Sequence, residues 1–175
     1  MRKLLFVAGI ALAALMLAAF EPWTAWTRST VVEALPTSRP AASATSVPDG
    51  SPSVAPAAEE IEPVVLASGR FVTQEHGTSG QASLLTLADG RRIVRLEGFS
   101  TSNGPDLHVW LSDRTAGGSW FKYDEGRSVQ LGELKATDGT HHYEVPAGAD
   151  LDGFRSVVIW CKRFAVAFGS APLDL

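Results

Sequence analysis

The feature that most constrains the fold is a series of short apolar runs between Val64 and Leu175. Clusters of glycine, asparagine, aspartate and proline separate these runs at intervals of about 8–12 residues, which is typical of strands and tight turns. The runs cover residues 69–74, 81–87, 92–96, 107–111, 128–131, 142–145, 156–161 and 165–168. No helical period competes with them over a useful length. Residues 64–175 are therefore predicted to form one all-β domain, an antiparallel β-sandwich or barrel-like structure.

The N-terminus carries an apolar segment. Arg2 and Lys3 precede seventeen uncharged residues, 4–20, rich in leucine and alanine. This length approaches the roughly 17–25 residues that span a bilayer and exceeds the apolar part of a typical cleaved signal peptide, about 7–15 residues. Residues 1–27 are predicted to be a signal anchor, a single transmembrane helix in the cell membrane with the C-terminal domain extracytoplasmic. Cleavage and secretion of a soluble form is the alternative.

Residues 28–63 differ in composition from the segments on either side. Six of the ten prolines lie between Pro36 and Pro63, among alanine, serine, threonine and valine. Proline removes amide donors, and small side chains offer too little apolar area to offset the cost of ordering. The segment is predicted to be a disordered linker that holds the domain clear of the membrane.

Charge and motifs exclude several classes of function. The formal net charge is −4, and no basic stripe is present, so a nucleic-acid partner is not expected. The chain has no Gly-x-Ser-x-Gly, no His-Glu-x-x-His, no phosphate loop and no dinucleotide fingerprint. No catalytic motif is complete, which favours a protein that is not an enzyme on its own.

Cys161 is the only cysteine and ends an apolar run. Strand alternation groups Val157, Ile159 and Cys161 on one face and Val158 and Trp160 on the other. Because both faces are apolar, this strand is predicted to be central, with Cys161 in the core. A second interpretation follows from the exported location. A single thiol cannot form an internal disulfide, so an oxidising compartment favours a hidden, paired or functional sulfur.

Histidines offer candidate metal ligands. Together with Cys161, His76 and His108 are candidates for a mixed nitrogen and sulfur site of the kind that binds copper. The competing interpretation for each histidine is surface or hydrogen-bonded packing. Alternation places His108 outward, and it places the adjacent His141 and His142 on opposite faces, where they cannot chelate one ion. The sequence identifies no cofactor.

Four aromatic residues suggest a different kind of site. Trp110, Trp120, Phe121 and Tyr123 are candidates for a face that binds a polymer or protein of the cell envelope. For Trp110, half-buried packing is the competing interpretation. The last three fall in a glycine-rich loop, where exposed rings would indicate an interaction site.

Several short motifs resemble the DM13 domain family. They are Gly69-Arg-Phe71 with His76 and Ser79-Gly80, Leu96-x-x-Phe99, Gly104-Pro105-Asp106-Leu107-x-Val109, Leu131-Gly132, Tyr143-x-Val145-Pro146, and Val158-Ile159-Trp160-Cys161-x-x-Phe164-x-Val166-x-Phe168-Gly169. The resemblance implies a β-sandwich with a role in electron transfer, in which Cys161 is the redox or ligand residue. Relatives carry this domain alone or beside DOMON or cytochrome b561-type domains. This chain has no such module, so a redox role implies separate redox partners.

Three functions follow as hypotheses. The first is a membrane-tethered extracytoplasmic module for electron transfer or metal-associated redox chemistry that uses Cys161. The second is a non-enzymatic module that binds an envelope component, and the third is a structural scaffold.

Overall fold

The computed structural model describes residues 27–36 and 62–173. They form ten strands: β1 Thr30–Val32, β2 Val64–Arg70, β3 Val72–Thr73, β4 Ser79–Thr86, β5 Arg92–Ser100, β6 Leu107–Ser112, β7 Ser128–Glu133, β8 Asp138–Glu144, β9 Ser156–Cys161 and β10 Val166–Pro172. Within these ranges there is no helix that is long and apolar enough to cross a membrane. The predicted transmembrane helix, apart from Thr27, and positions 37–61 of the predicted linker lie outside the described residues.

The strands form two five-stranded sheets. One has the order β1-β8-β5-β4-β2, and the other has the order β3-β10-β9-β6-β7. Every pairing is antiparallel except that of β1 with β8. The predicted run 69–74 spans two strands, because the chain passes from one sheet to the other at Phe71. The all-β fold and the antiparallel sandwich are confirmed.

The main core lies between the sheets, and strand alternation decides which side chains enter it. Leu107, Val109 and Leu111 of β6 and Val157, Ile159 and Cys161 of β9 all point into this core. The alternate residues Trp110, Val158 and Trp160 form a second cluster on the outer face, with Tyr123 and Ala167. Both faces of β9 are thus buried, as its two-sided apolar pattern predicts.

A long excursion, residues 113–127, covers this outer face. It leaves β6 after Ser112 and returns to β7 at Ser128, and these two residues are cross-strand partners at one end of the sheet. Between them it reaches the opposite end, where the Trp120 carbonyl accepts a hydrogen bond from the Ala167 amide at 2.9 Å. The excursion therefore spans the length of the sheet and closes the second cluster from solvent.

The start of the predicted linker differs from the expectation of disorder. Thr30–Val32 form β1 on the β8 edge, with Thr30 opposite Asp138 and Val32 opposite Thr140. The Glu33 amide continues the ladder by donating to the Thr140 carbonyl at 2.8 Å. Edge pairing satisfies backbone groups without burying much apolar area, so composition gave no sign of it.

β8 also contributes a histidine, His141, to the core between the sheets. His141 is 0% exposed, and its Nδ1 lies 3.1 Å from the Tyr143 hydroxyl. Its Nε2 has no hydrogen-bond partner. Burial lowers the pKa of His141 and raises that of Tyr143 to about 12. Both groups are therefore neutral in the folded protein near neutral pH.

Stability is expected to fall as the pH drops below the ordinary histidine value of 6.5. His141 stays neutral while folded but takes up a proton when unfolded, so acid favours the unfolded state by up to about 1.4 kcal/mol per pH unit. Urea unfolding at pH 7.5 and 5.5 measures this difference. His141→Leu should reduce it without abolishing it, because burial also lowers the pKa of His142. An unchanged pH dependence in this variant would contradict the assignment.

Candidate functional site at the Cys161 end

Cys161 lies at the last position of β9, and its side chain is 0% exposed. Its cross-strand partners are Leu107 on β6 and Val166 on β10, and all three belong to the main core. The structure therefore places this thiol in the core, as the first interpretation of the sequence predicted. The exposed turn of residues 162–165 begins at the very next position.

Three turns close the sandwich around this residue, and we call this region the Cys161 end. They are residues 74–78, 101–106 and 162–165. The Lys162 amide donates to the Asp106 carbonyl at 3.0 Å, and the hydroxyls of Thr78 and Thr101 are 2.9 Å apart. These contacts tie the three turns to one another.

Gly104 shows how tightly the middle turn packs. A Cβ atom at this position would lie 2.9 Å from Phe168 Cζ and 3.1 Å from Leu107 Cδ2. Both neighbours belong to the same core cluster as Cys161. Since only glycine fits here without displacing them, this turn is a close-fitting cover over the end of the core.

A cavity of about 230 Å³ lies beside this cover. Its lining residues include Ser29, Asp106, Leu107 and Thr137. Leu107 is also the cross-strand partner of Cys161, so one residue both lines the cavity and pairs with the cysteine in the sheet.

His76 lies at the same end. Its ring contacts the Phe168 ring with centroids 4.1 Å apart, and Phe168 shares the core cluster of Cys161. The His76 Nε2 is 2.7 Å from Glu75 Oε2, and 42% of the side chain is exposed. Of the two histidines proposed as ligands, this is the one whose ring contacts that cluster.

His108 lies on the outer face of its sheet. Its cross-strand partner on β9 is Trp160, whereas Cys161 is opposite Leu107. The sheet itself therefore separates the His108 ring from the sulfur. The prediction of an outward or shallow position is right: His108 is 8% exposed, and its Nε2 lies 2.7 Å from Asp106 Oδ1.

No metal centre is assembled from the part of the chain that the structure describes. Within it, no group of three or more His, Cys, Asp or Glu side chains is placed to hold a metal ion. The adjacent His141 and His142 differ as predicted, since His141 faces the core while His142 Nδ1 lies 3.1 Å from Glu33 Oε2 at the edge of the sheet.

The outer cluster contains a buried aromatic stack next to Cys161 in sequence. The rings of Trp110 and Trp160 are stacked with centroids 5.1 Å apart, and Tyr123 meets Trp160 edge-on at 6.2 Å. The Tyr123 hydroxyl donates to Gln74 Oε1 at 3.1 Å and lies 2.8 Å from Ser170 Oγ. Burial raises the pKa of Tyr123. This stack was not apparent from the sequence, because nothing local shows that 113–127 folds back over the sheet.

The predicted aromatic binding face is corrected by this arrangement. Trp110 is 6% exposed and Tyr123 is 0% exposed, so neither ring is available to a ligand on the surface. Trp120 and Phe121 are exposed, at 42% and 56%. The exposure of these rings differs because Tyr123 anchors the excursion to the sheet, whereas Trp120 and Phe121 form the tip of the excursion, which projects at the Cys161 end.

Fold and site together define a small β-sandwich domain with a single buried thiol beside stacked aromatic rings. A family model described as Electron transfer DM13 matches residues 70–173. The match covers more than half of the chain and includes Cys161, and the chain belongs to the DM13 family. No curated protein and no solved structure matches the chain.

Proposed function

We propose that this protein is a membrane-tethered extracytoplasmic redox module in which Cys161 takes part. The observation that carries the proposal is the match to an electron-transfer family over the range that contains the chain's only thiol. Residues 4–20 are the proposed tether, since their length and composition suit a membrane span. Separate proteins are proposed to donate and accept the electrons.

The burial of Cys161 supports a mechanism in which its sulfur reacts or binds a metal only after a local movement of the protein. Thiolates rather than thiols bind metals and react, and a thiol in an apolar core is inert. Cys161 is sealed by the turns at its end of the sandwich, but the exposed turn 162–165 begins at the next residue, and its cross-strand partner Leu107 lines the cavity. Opening of the 101–106 cover is the movement proposed to expose the sulfur.

A redox titration of the full chain in detergent micelles tests the role of Cys161. The wild type, with and without added copper or haem, is expected to show a redox transition or a thiolate-linked absorption band that Cys161→Ala lacks. Val157→Ala is the matched control, because it lies on the same strand and the same core face but carries no sulfur. Identical behaviour of Cys161→Ala and wild type, or no transition in either, would refute the proposal.

A second candidate function is a non-enzymatic module that binds or scaffolds the cell envelope. The complete burial of Cys161 favours it, because a buried free cysteine commonly acts as a small hydrophobic residue. In that case Cys161→Ala would cost only the packing free energy of a small side chain. The thiol would then react with iodoacetamide only after unfolding, whereas the redox role requires slow labelling of the native protein.

A further inference from the structure

We infer that the Cys161 end of the sandwich rests against the surface of the lipid bilayer, with exposed aromatic rings at the headgroup level. This inference depends on the proposed tether, residues 4–20, but it adds an orientation and a lipid contact surface that the tether alone does not specify. Three observations carry it: where the chain enters the domain, where the exposed aromatic rings lie, and which charges accompany them.

The chain enters the domain at the Cys161 end. β1 begins at Thr30 opposite Asp138, and Asp138 is in turn opposite Ser100, the last residue of β5 before the 101–106 cover. Just before β1, Arg28 Nε lies 3.2 Å from Asp138 Oδ2, and Arg28 Nη2 donates to Ser100 Oγ at 2.9 Å. The docked β1 thus fixes the first described residues at this end.

The connection from the apolar segment to this point is short. Phe20 and Arg28 are eight residues apart. Eight residues reach at most about 28 Å when fully extended. Since β1 runs away from the Cys161 end, positions 37–61 follow after the domain is already attached and cannot lengthen the connection. While β1 is docked, the connection between the apolar segment and the domain therefore does not include positions 37–61.

All exposed aromatic rings among the described residues lie at this end. Phe164, in the turn after Cys161, is 62% exposed, and Trp120 and Phe121 project from the tip of the excursion. The hydrogen bond from the Ala167 amide to the Trp120 carbonyl joins that tip to the beginning of β10, next to the turn. Two separate segments of the chain thus present aromatic rings at the same end.

Exposed cations flank these rings. Lys162 and Arg163 precede Phe164 in the turn, and both are exposed. Aromatic rings at headgroup depth with adjacent basic side chains are the composition that favours a bilayer interface and anionic lipid. The turns at the other end expose Arg91, Arg127 and Arg155 as well, but there the arginines are mixed with Asp89, Asp150 and Asp152 and no aromatic ring is exposed. An aliphatic patch at residues 64–66 also lies toward that end, but it has no ring or cation of its own.

Spin-label accessibility tests the orientation in the full chain, reconstituted in vesicles of phosphatidylcholine and phosphatidylglycerol. A nitroxide is attached at Phe164→Cys, and for comparison at Asp89→Cys and Val65→Cys, each in a Cys161→Ala background whose melting curve confirms folding. The label at 164 is expected to be several-fold less accessible to a water-soluble nickel reagent than the label at 89, and more accessible to oxygen. Adding Lys162→Glu and Arg163→Glu should raise its nickel accessibility.

Each outcome has a distinct meaning. Flotation of the vesicles in alkaline carbonate first shows whether the tether holds. Chains that float with the label at 164 protected support the inference. Chains that float with equal nickel accessibility at 164 and 89, or with protection at 65 instead, overturn the orientation and leave the tether intact. Chains that do not float overturn the tether and the orientation together, independently of the redox titration of Cys161.

Discussion

Replacement of Trp160 by alanine is expected to lower the free energy of unfolding by about 3–5 kcal/mol. Trp160 is 2% exposed and stacks on Trp110, while the Tyr123 ring meets it edge-on. Removing it leaves a cavity beneath the excursion and deprives both neighbouring rings of their packing partner. Because lower stability raises the population of open states, the variant is also expected to speed the alkylation of the Cys161 thiol. Urea unfolding and labelling with iodoacetamide measure the two effects.

Trp120→Ala is the matched control for this prediction. It also replaces a tryptophan with alanine, but at the exposed tip of the excursion 113–127, where Trp120 is 42% exposed. Exposed substitutions generally change stability by no more than about 0.5 kcal/mol. Similar losses of stability for the two variants would mean that the outer cluster contributes no more to stability than the surface does.

The second large effect is expected from Gly139→Ala, which should release β1 from the sheet. A Cβ at Gly139 would lie only 1.9 Å from the Val31 carbonyl oxygen, and the backbone there has a φ of +115°. The strain costs about 1–3 kcal/mol. Expulsion of β1 adds the loss of several backbone hydrogen bonds, each worth about 1 kcal/mol. Hydrogen exchange at Glu33 and proteolysis within 27–36 report the release directly.

Gly90→Ala separates the steric effect from the backbone strain. Gly90 also has a positive φ, +82°, but a Cβ there meets nothing within 4 Å. This variant should lose stability through strain alone and keep Glu33 protected. If Gly139→Ala also keeps Glu33 protected, then β1 does not depend on this close approach, and the short connection to the apolar segment loses its structural basis.

Most strands of the sandwich were predictable because each of them carries its own signal. Alternation in 156–161 predicted the inward side of Cys161, and alternation in 107–111 predicted the outward side of His108. The two-sided apolar pattern of β9 indicated a central strand, which the sheet order confirms. Such signals depend on neighbouring residues alone, so they can be recognised without knowledge of how the rest of the chain folds.

β1 and the aromatic stack were not predictable from local pattern. β1 is three residues long and is stabilised by the edge of β8, over a hundred residues further along the chain. Tyr123 looked like a loop residue, and its burial depends on the path of the whole excursion 113–127 across a distant sheet. The His76 contact with Phe168 likewise joins a turn to a strand about ninety residues away.

By itself the sequence determined an antiparallel all-β domain, sandwich or barrel-like, with one cysteine on the core side of a central strand, because alternation and turn residues are short-range properties. Only the tertiary structure decided that His108 is separated from Cys161 by a sheet and that Trp110 and Tyr123 are buried. It also decided that the chain enters the domain at the Cys161 end. These outcomes depend on which distant segments meet, and the free energy of such contacts comes from the packing of the assembled sheets.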